Sequence, residues 1–301
     1  MPRSSTGCKL GAHMSIAGGC DRAVWAAHAV AFQTVQLFTK NNNRWEGVEL
    51  SAVHAGAFRA ALEQTGIVDP VAHTSYLINL ASPDPPLWRK SIEAMVVEVQ
   101  RCALLGITDL VVHPGAHMGA GEDAGLARIA AALDEVHGRT EGSGVIIDLE
   151  TTAGQGTNLG YRFEHLRDIL GRVGRPARLG ICGDTCHIFA AGYPLGGSQE
   201  YHETIDRLDR CVGLDRLRVW HLNDSGRECG SRVDRHAAIG AGHLGLEPFR
   251  HLVNDPRFRG RPMILETPKG TVDGEQLDVR NARVLRQLLG PPRSSRRRGR
   301  C

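Results

Sequence analysis

Two short stretches of the sequence place acidic residues and histidines close together beside glycine. The stretch GSRVDRHAAIG carries Asp234 and His236 two positions apart, and GDTCH carries Asp184 and His187 three positions apart. Carboxylates and imidazoles bind metal ions such as zinc, and both can also move protons. The two pairs therefore indicate a metal or acid–base site, and more residues of these types are expected to join them.

Five further residues of these types stand where short apolar runs end. With the two pairs they make five histidines and four carboxylates: His73, His113, Glu150, Asp184, His187, His221, Asp234, His236 and Glu266. Such a set cannot crowd together without partners, because buried charge and unpaired imidazole are both costly. Bound metal ions would remove that cost.

The types of ligand restrict the metal. Imidazole and carboxylate without clustered thiolate favour Zn²⁺, with Mn²⁺ or Fe²⁺ as alternatives, whereas Mg²⁺ prefers oxygen alone. Nine ligands with one bridging carboxylate suit two or three ions at three or four ligands each. Three divalent ions would outweigh the four carboxylates, so the site would be positive and suited to a phosphate substrate.

Eight short apolar or β-branched runs alternate with longer segments of helical spacing. Segments 91–106 and 124–138 have apolar residues three and four positions apart, and each is predicted to stop at its final glycine. The eight runs have the length of buried parallel strands. They are residues 9–13, 34–39, 70–74, 109–113, 144–150, 178–184, 216–222 and 262–267.

This alternation predicts an α/β fold, a (β/α)₈ TIM barrel that forms a single domain over residues 9–288. Residues 1–8 would be a short extension and residues 289–301 a basic, disordered tail. In such a barrel the carboxyl ends of the strands form the active-site face, so the nine candidates would converge there. An open doubly wound sheet is the alternative, although no G-x-G-x-x-G follows the first run.

Composition excludes several classes of protein. The chain has 301 residues, 42% of them apolar and 23% charged, and it has neither an 18-residue apolar run nor an apolar segment at its start. We therefore expect a cytoplasmic protein without a signal peptide, associated with the nucleoid in a prokaryote. The eight cysteines are scattered and are expected to be reduced. Cys182 and Cys186 could suggest a zinc finger, but no second pair stands at finger spacing.

The formal charge of +3 is misleading, because five arginines lie in the segment PPRSSRRRGRC at the end of the chain. Without them, 31 basic residues face 33 acidic ones. The barrel is therefore not a basic nucleic-acid binder by composition, and a polyanionic substrate would need positive charge from another source.

Nine segments together resemble the endonuclease IV family of apurinic/apyrimidinic endonucleases. They are GAHMSIAGG, LFTKNNNRW, AHTSYLINLASP, HPGAH, LETTAGQGTNLG, GDTCHIFAAGY, HLNDS, GSRVDRHAAIG and ILETP, in the family's order between residues 9 and 288. The resemblance implies a (β/α)₈ barrel with three zinc ions that cuts duplex DNA on the 5′ side of abasic sites. The products would be a 3′-hydroxyl and a 5′-deoxyribose phosphate, formed by a metal-bridging hydroxide.

The resemblance also assigns roles to residues. Glu150 would bridge two ions and act in catalysis. The first zinc would be held by His73, His113 and Glu150, the second by Glu150, Asp184, His221 and Glu266, and the third by His187, Asp234 and His236.

Four residues are implied as DNA contacts. Tyr76 and Leu77 match a loop that family members wedge into the DNA gap, and an aromatic–aliphatic pair suits the replacement of lost stacking. Where some members insert an arginine this chain has Asn43, with Arg44 beside it. The expected partner is duplex DNA with abasic sites, without a membrane or an obligate protein partner, and the chain is expected to be a monomer.

Two other classes of function stay open. A metal-dependent sugar isomerase or epimerase would use a similar barrel with two metals and mostly carboxylate ligands, and the trio His187, Asp234 and His236 argues against it. A non-catalytic damage-binding protein could keep the fold but would tolerate loss of ligands, and none is missing. His13 and His117 could support a metal ligand or simply pack in loops, and we do not count them as ligands.

Overall fold

The computed structural model describes residues 8–290, which form an eight-stranded parallel barrel with helices outside it. The expected N-terminal extension and basic tail lie almost entirely outside these residues. The strands are β1 (Lys9–Ala12), β2 (Gln36–Phe38), β3 (Val71–His73), β4 (Asp109–Val112), β5 (Ile146–Glu150), β6 (Leu179–Asp184), β7 (Leu217–His221), β8 (Asp224–Ser225), β9 (His236–Ala237), β10 (Pro262–Leu265), β11 (Thr271–Val272) and β12 (Glu275–Gln276). The helices are α1 (Cys20–Ala29), α2 (Ala52–Thr65), α3 (Pro85–Leu105), α4 (Glu122–Arg139), α5 (Phe163–Arg172), α6 (Thr185–Ala190), α7 (Ser198–Val212), α8 (Glu247–Asn254) and α9 (Leu277–Leu288).

The barrel strands run in the order β1-β10-β7-β6-β5-β4-β3-β2, and every pair of neighbours is parallel. The ring closes between β1 and β2 through a parallel bridge from His13 to Gln36, where the Met14 N–H donates to the Gln36 carbonyl at 2.8 Å. The predicted barrel is therefore confirmed, and the open sheet is excluded. The four remaining strands form two short antiparallel hairpins, β8–β9 and β11–β12.

The ends of two helices show how local sequence sets their length. At the start of α3 the Asp84 carboxylate accepts the Leu87 N–H at 3.2 Å, and the helix ends where Gly106 adopts φ 81°. The expected stop of α4 at Gly138 is wrong. The helix continues to Arg139, because Gly138 keeps a helical conformation and the Thr140 hydroxyl donates to the Val136 carbonyl at 2.7 Å.

A layer of apolar side chains lies inside the barrel, directly below the candidate ligands. The interior cluster consists of Val71, Val111, Cys182, Val219 and Ile264, all with 0% exposure. Each stands two positions before one of the candidate ligands. Because residues two apart in a strand face the same side, those ligands also face inward, one layer nearer the mouth. The interior is a packed core, so a site can form only above it.

Within residues 8–290, no helix is long and apolar enough to cross a membrane.

Candidate metal centre at the barrel mouth

All nine candidate ligands converge at the carboxyl ends of the barrel strands. They form three groups in which the potential ligand atoms lie within 4.8 Å of one another. We call the groups the first, second and third ligand groups. The first is His73, His113 and Glu150, the second is Glu150, Asp184, His221 and Glu266, and the third is His187, Asp234 and His236.

Glu150, the last residue of β5, joins the first two groups. Its Oε2 atom lies 3.2 Å from His73 Nε2 and 3.0 Å from His113 Nε2. Its Oε1 atom lies 3.0 Å from His221 Nδ1. The side chain has no exposed surface. Its two oxygens therefore face separate clusters of nitrogen, which is the arrangement expected of a bridging carboxylate.

The second ligand group draws on three further strand ends. His221 Nδ1 lies 3.2 Å from Glu266 Oε2 and 3.8 Å from Asp184 Oδ2. Asp184 has an additional structural role, because its Oδ1 atom accepts the His187 N–H at 2.8 Å and caps α6. The Asp184 carboxylate thus has two roles. It caps the short helix that carries His187, and it faces the second ligand group.

The third ligand group lies at the edge of the mouth. His187 Nε2 is 3.2 Å from Asp234 Oδ2, and His236 Nε2 is 3.4 Å from Asp234 Oδ1. The Asp234 side chain is 41% exposed, whereas that of His187 is 2% exposed. The irregular segment 226–235, which we call the mouth loop, contains Asp234. His236 directly follows this loop.

Hydrogen bonds orient four of the five imidazoles toward the cluster. In each ring one nitrogen faces a protein oxygen, so the other can present its lone pair to a metal ion. The outer contacts are His73 Nδ1 to the Thr74 carbonyl at 2.8 Å, His187 Nδ1 to the Thr151 carbonyl at 2.9 Å, His236 Nδ1 to the Glu266 carbonyl at 3.2 Å and His221 Nε2 to Gln36 Oε1 at 2.8 Å.

The electrostatic field of the cluster favours cations. Burial would lower the pKa of His187, but the carboxylates of Asp184 and Asp234 raise it well above its usual range. Burial would raise the pKa of Glu266, but His221 holds it well below its usual range. The Glu266 carboxylate therefore stays ionised and attracts positive charge. Together with the nitrogen and oxygen donors, this field fits divalent metal ions and fits Zn²⁺ well.

Two residues that support the ligands, Gln36 and Asn223, are not among those predicted from the sequence. The amide of Gln36 accepts from His221 and donates to Glu266 Oε1 at 2.6 Å. The amide of Asn223 donates to Asp184 Oδ2 at 2.7 Å and accepts the Glu266 N–H at 2.9 Å. The sequence does carry a signal for Gln36, since a polar amide between Val35 and Leu37 in a predicted buried strand needs a buried partner.

His13 and His117 differ in their surroundings. His13 Nδ1 lies 3.0 Å from Gln36 Nε2 and 3.5 Å from Glu266 Oε1, so it borders the second ligand group. His117 Nδ1 accepts the Gly121 N–H at 3.1 Å just before α4, which is a packing role.

The two cysteines near the site are buried thiols. Cys182 and Cys186 each lie within reach of two candidate ligands. Burial raises the pKa of the Cys186 thiol to about 12, which keeps it protonated in the absence of a metal. In the described part of the chain no second cysteine pair joins them, so a zinc finger is not formed.

Comparison with known proteins identifies the family. The family model of the xylose isomerase-like TIM barrel matches residues 24–288. A probable endonuclease 4 of Chloroflexus aurantiacus is 51% identical over 281 residues, which are 93% of this chain and 98% of that protein. The chain belongs to the endonuclease IV family. The crystal structure of endonuclease IV from Thermus thermophilus is similar, with a TM-score of 0.82 and 37% identity over 93% of this chain and 98% of that one.

The barrel alone does not separate the endonuclease IV family from sugar-converting enzymes. A D-tagatose 3-epimerase-like protein has a TM-score of 0.71 but only 19% identity, over 93% of this chain and 97% of that one. That likeness concerns the fold only. The ligand groups and the similarity to endonucleases, rather than the fold, therefore indicate the function.

The predicted DNA contacts lie at and beside the mouth. Tyr76 follows β3, is 61% exposed, and its ring centroid is 5.7 Å from that of His73. Leu77 beside it is half-buried. Asn43 and Arg44 lie in the loop after β2 and line a groove of about 920 Å³. The structure thus places Tyr76 next to the first ligand group and the other two residues on a neighbouring loop.

Proposed function

We propose that this protein is a DNA repair endonuclease that hydrolyses the phosphodiester bond 5′ to abasic sites in duplex DNA. The products are a 3′-hydroxyl and a 5′-deoxyribose phosphate. The observation that supports this most strongly is the position of Glu150, whose two oxygens face two ligand groups while a third group lies beside them. Similarity to endonucleases over almost the whole chain supports the same reaction.

The three ligand groups would hold three Zn²⁺ ions, with Mn²⁺ or Fe²⁺ possible at one position. When bound, these ions supply an activated water as nucleophile and neutralise charge on the phosphoryl oxygens and on the departing 3′ oxygen.

The chain's own residues prepare the site for this chemistry. Glu150 is assigned the catalytic role from its position between the first two ligand groups, where its carboxylate would lie beside the attacking water and accept its proton. His113 and His221 hold its pKa well below its usual range despite burial, so the carboxylate stays ionised and suited to hold metal ions. Gln36 and Asn223 fix the carboxylates of Glu266 and Asp184 through the hydrogen bonds described above. The reacting groups are thereby oriented before the substrate binds.

The exposed side chains at the mouth would bind the damaged DNA. An abasic sugar has no base to unstack or unpair, so its rotation into the mouth costs little. Tyr76 offers an exposed ring to stack on a base next to the gap, and the half-buried Leu77 beside it in sequence would add apolar contact. Arg44, beside Asn43 on the neighbouring loop, would contact phosphate or enter the groove of the duplex.

A cleavage assay with a defined duplex tests the proposal. A 5′-labelled duplex with one abasic site should be cut once, and a DNA polymerase should extend the labelled product because it ends in a 3′-hydroxyl. The same duplex with an ordinary base should stay intact. Prolonged incubation with a strong zinc chelator should abolish cleavage, and added Zn²⁺ should restore it.

Three results would contradict the proposal. They are equal cutting of the undamaged duplex, full activity after exhaustive chelation, or a product that the polymerase cannot extend. Metal analysis of the same preparation separates the alternatives, since three ions per chain fit the nuclease and one or two fit a sugar isomerase.

A further inference from the structure

The position of the third ligand group depends on a loop, the mouth loop, whereas the positions of the first two groups do not. The first two groups are carried by barrel strands or by residues directly after them. Asp234 instead lies near the end of a segment that has neither helix nor strand, and its side chain is 41% exposed. Its position must therefore be fixed by contacts that the mouth loop makes with its surroundings.

One residue of the mouth loop has a strained backbone. Arg232, two positions before Asp234, adopts φ 55°, in the left-handed region that residues with a Cβ rarely occupy. Its N–H donates to the Ala190 carbonyl at 2.9 Å, which ties this conformation to the end of α6. Strained conformations of this kind persist only where the surrounding structure holds them, and they concentrate at functional sites.

The side chain of Arg232 supplies a second attachment. Its guanidinium carbon lies 3.8 Å from the centroid of the Tyr161 ring, a close cation–π contact. The Tyr161 hydroxyl in turn donates to Glu122 Oε1 at 2.6 Å, so the ring is anchored to α4. No carboxylate in residues 8–290 forms a salt bridge with Arg232, and the residue is exposed. Its contact with the ring is thus the main restraint on this side chain.

The loop after β5 also holds Asp234 directly. The Asp234 N–H donates to Gln155 Oε1 at 3.0 Å, and Gln155 lies in the same loop as Tyr161. The mouth loop is therefore attached to that neighbouring loop at two points, one on each side of Val233.

We propose that the contact between Arg232 and Tyr161 positions Asp234 and retains the metal ion of the third ligand group selectively. This proposal rests on the proposed function, because it requires the third group to hold an ion. Loss of the contact removes one of these attachments, which loosens the mouth loop and lets Asp234 shift away from His187 and His236. The ions of the first two groups stay in place, because their ligands lie on the barrel strands.

The rate of metal release tests the proposal without an activity measurement. The zinc-loaded full-length chain is mixed with a large excess of a chromogenic zinc chelator, and the three ions are counted as they are released. In Arg232→Ala and Tyr161→Leu, we expect one ion per chain to leave about tenfold faster or more and the other two to leave at the wild-type rate.

Two variants serve as matched controls. Arg227→Ala removes the same charge from an exposed arginine of the mouth loop that makes no contact with an aromatic ring in the described structure, and its release rates should equal those of the wild type. Tyr161→Phe keeps the ring but loses the hydroxyl, and it should retain most of the wild-type behaviour. Circular dichroism verifies that each variant is folded.

The outcomes are distinguishable. Release of all three ions at wild-type rates by both Arg232→Ala and Tyr161→Leu overturns this proposal alone, and so does equal acceleration of all three ions. A wild-type chain that holds fewer than three ions contradicts the metal assignment and this proposal together. Selective acceleration in both variants, absent in Arg227→Ala and largely restored by Tyr161→Phe, supports it.

Discussion

At the scale of single residues, substitution of Glu150 should abolish most of the catalytic activity without unfolding the protein. Glu150→Gln keeps the size of the side chain but removes the negative charge that faces two ligand groups. We expect turnover on an abasic duplex to fall by several orders of magnitude while the barrel stays folded. Steady-state cleavage and circular dichroism measure the two effects. Glu203→Gln on the exposed face of α7 is the control, and full activity of Glu150→Gln would disprove the assigned role.

Substitution of Gln36 tests how much the orientation of the candidate ligands contributes to zinc affinity. The Gln36 amide contacts both His221 and Glu266, although Gln36 is not one of the nine candidate ligands itself. We expect Gln36→Leu to weaken zinc binding about 10- to 100-fold, because removal of such an orienting partner has effects of that size. Competition with a zinc indicator measures it, with Gln199→Leu on α7 as a control. Unchanged affinity would show that the strands alone orient the ligands.

At the scale of elements, the strands were predictable and the contacts between loops were not. All eight apolar runs became barrel strands, because a buried parallel strand leaves a local signal of length and composition. Six of the nine candidate ligand positions followed from the ends of those strands. Gly138 does not end α4 as predicted, because a glycine can also remain inside a helix. The Arg232–Tyr161 contact joins residues far apart in sequence, and no local pattern encodes such a contact.

The last turn of α4 contains a histidine that should make stability depend on pH. His137 is fully buried, and within the described structure neither ring nitrogen has a hydrogen-bond partner. Burial, with Arg178 nearby, lowers its pKa from the ordinary value of 6.5 to about 4. The folded state thus holds the neutral ring, and its contribution to stability is present above pH 6.5 and lost as the pH falls toward 4.

His137→Leu should therefore remove part of the acid sensitivity. We expect the free energy of unfolding of the variant to rise by about 2 kcal/mol relative to that of the wild type when the pH falls from about 8 to about 5. The reason is that the wild-type histidine takes up a proton on unfolding at low pH, whereas leucine cannot. Urea unfolding of both chains at the two pH values gives this difference, and metal-linked effects common to both cancel. The same change at the exposed His202 should show no such gain. A difference that does not depend on pH would contradict the explanation.

The loop between β3 and α3 can be tested through Tyr76. Stacking of an aromatic ring on a base contributes about 1–3 kcal/mol, so Tyr76→Ala should weaken binding of an abasic duplex about tenfold. Tyr76→Phe keeps the ring and should bind as the wild type does. Fluorescence anisotropy on a duplex with a cleavage-resistant linkage at the abasic site gives both affinities. If Tyr76→Phe loses as much affinity as Tyr76→Ala, the hydroxyl group and not ring stacking is responsible for the binding.

At the scale of the whole molecule, the distribution of charge presents a problem that metal ions would solve. Apart from the arginines near the end of the chain, basic and acidic residues nearly balance. The mouth itself concentrates four carboxylates, and protonated imidazole such as that of His187 offsets only part of their charge when no metal is bound. Ions in the ligand groups would make the mouth positive, so a loaded mouth would attract a polyanion more strongly than an unloaded one.

Removal of the metal should therefore reduce DNA binding as well as cleavage. We expect the affinity for a cleavage-resistant abasic duplex to fall at least about tenfold after exhaustive chelation, because several positive charges next to phosphate are lost while the four carboxylates remain. Anisotropy at constant ionic strength measures the change, and added Zn²⁺ should restore the affinity. A truncated chain that ends at residue 290 is the informative control, since it lacks the five arginines. If the truncated chain loses all affinity while chelation has no effect, then the tail and not the metal centre provides the attraction for DNA.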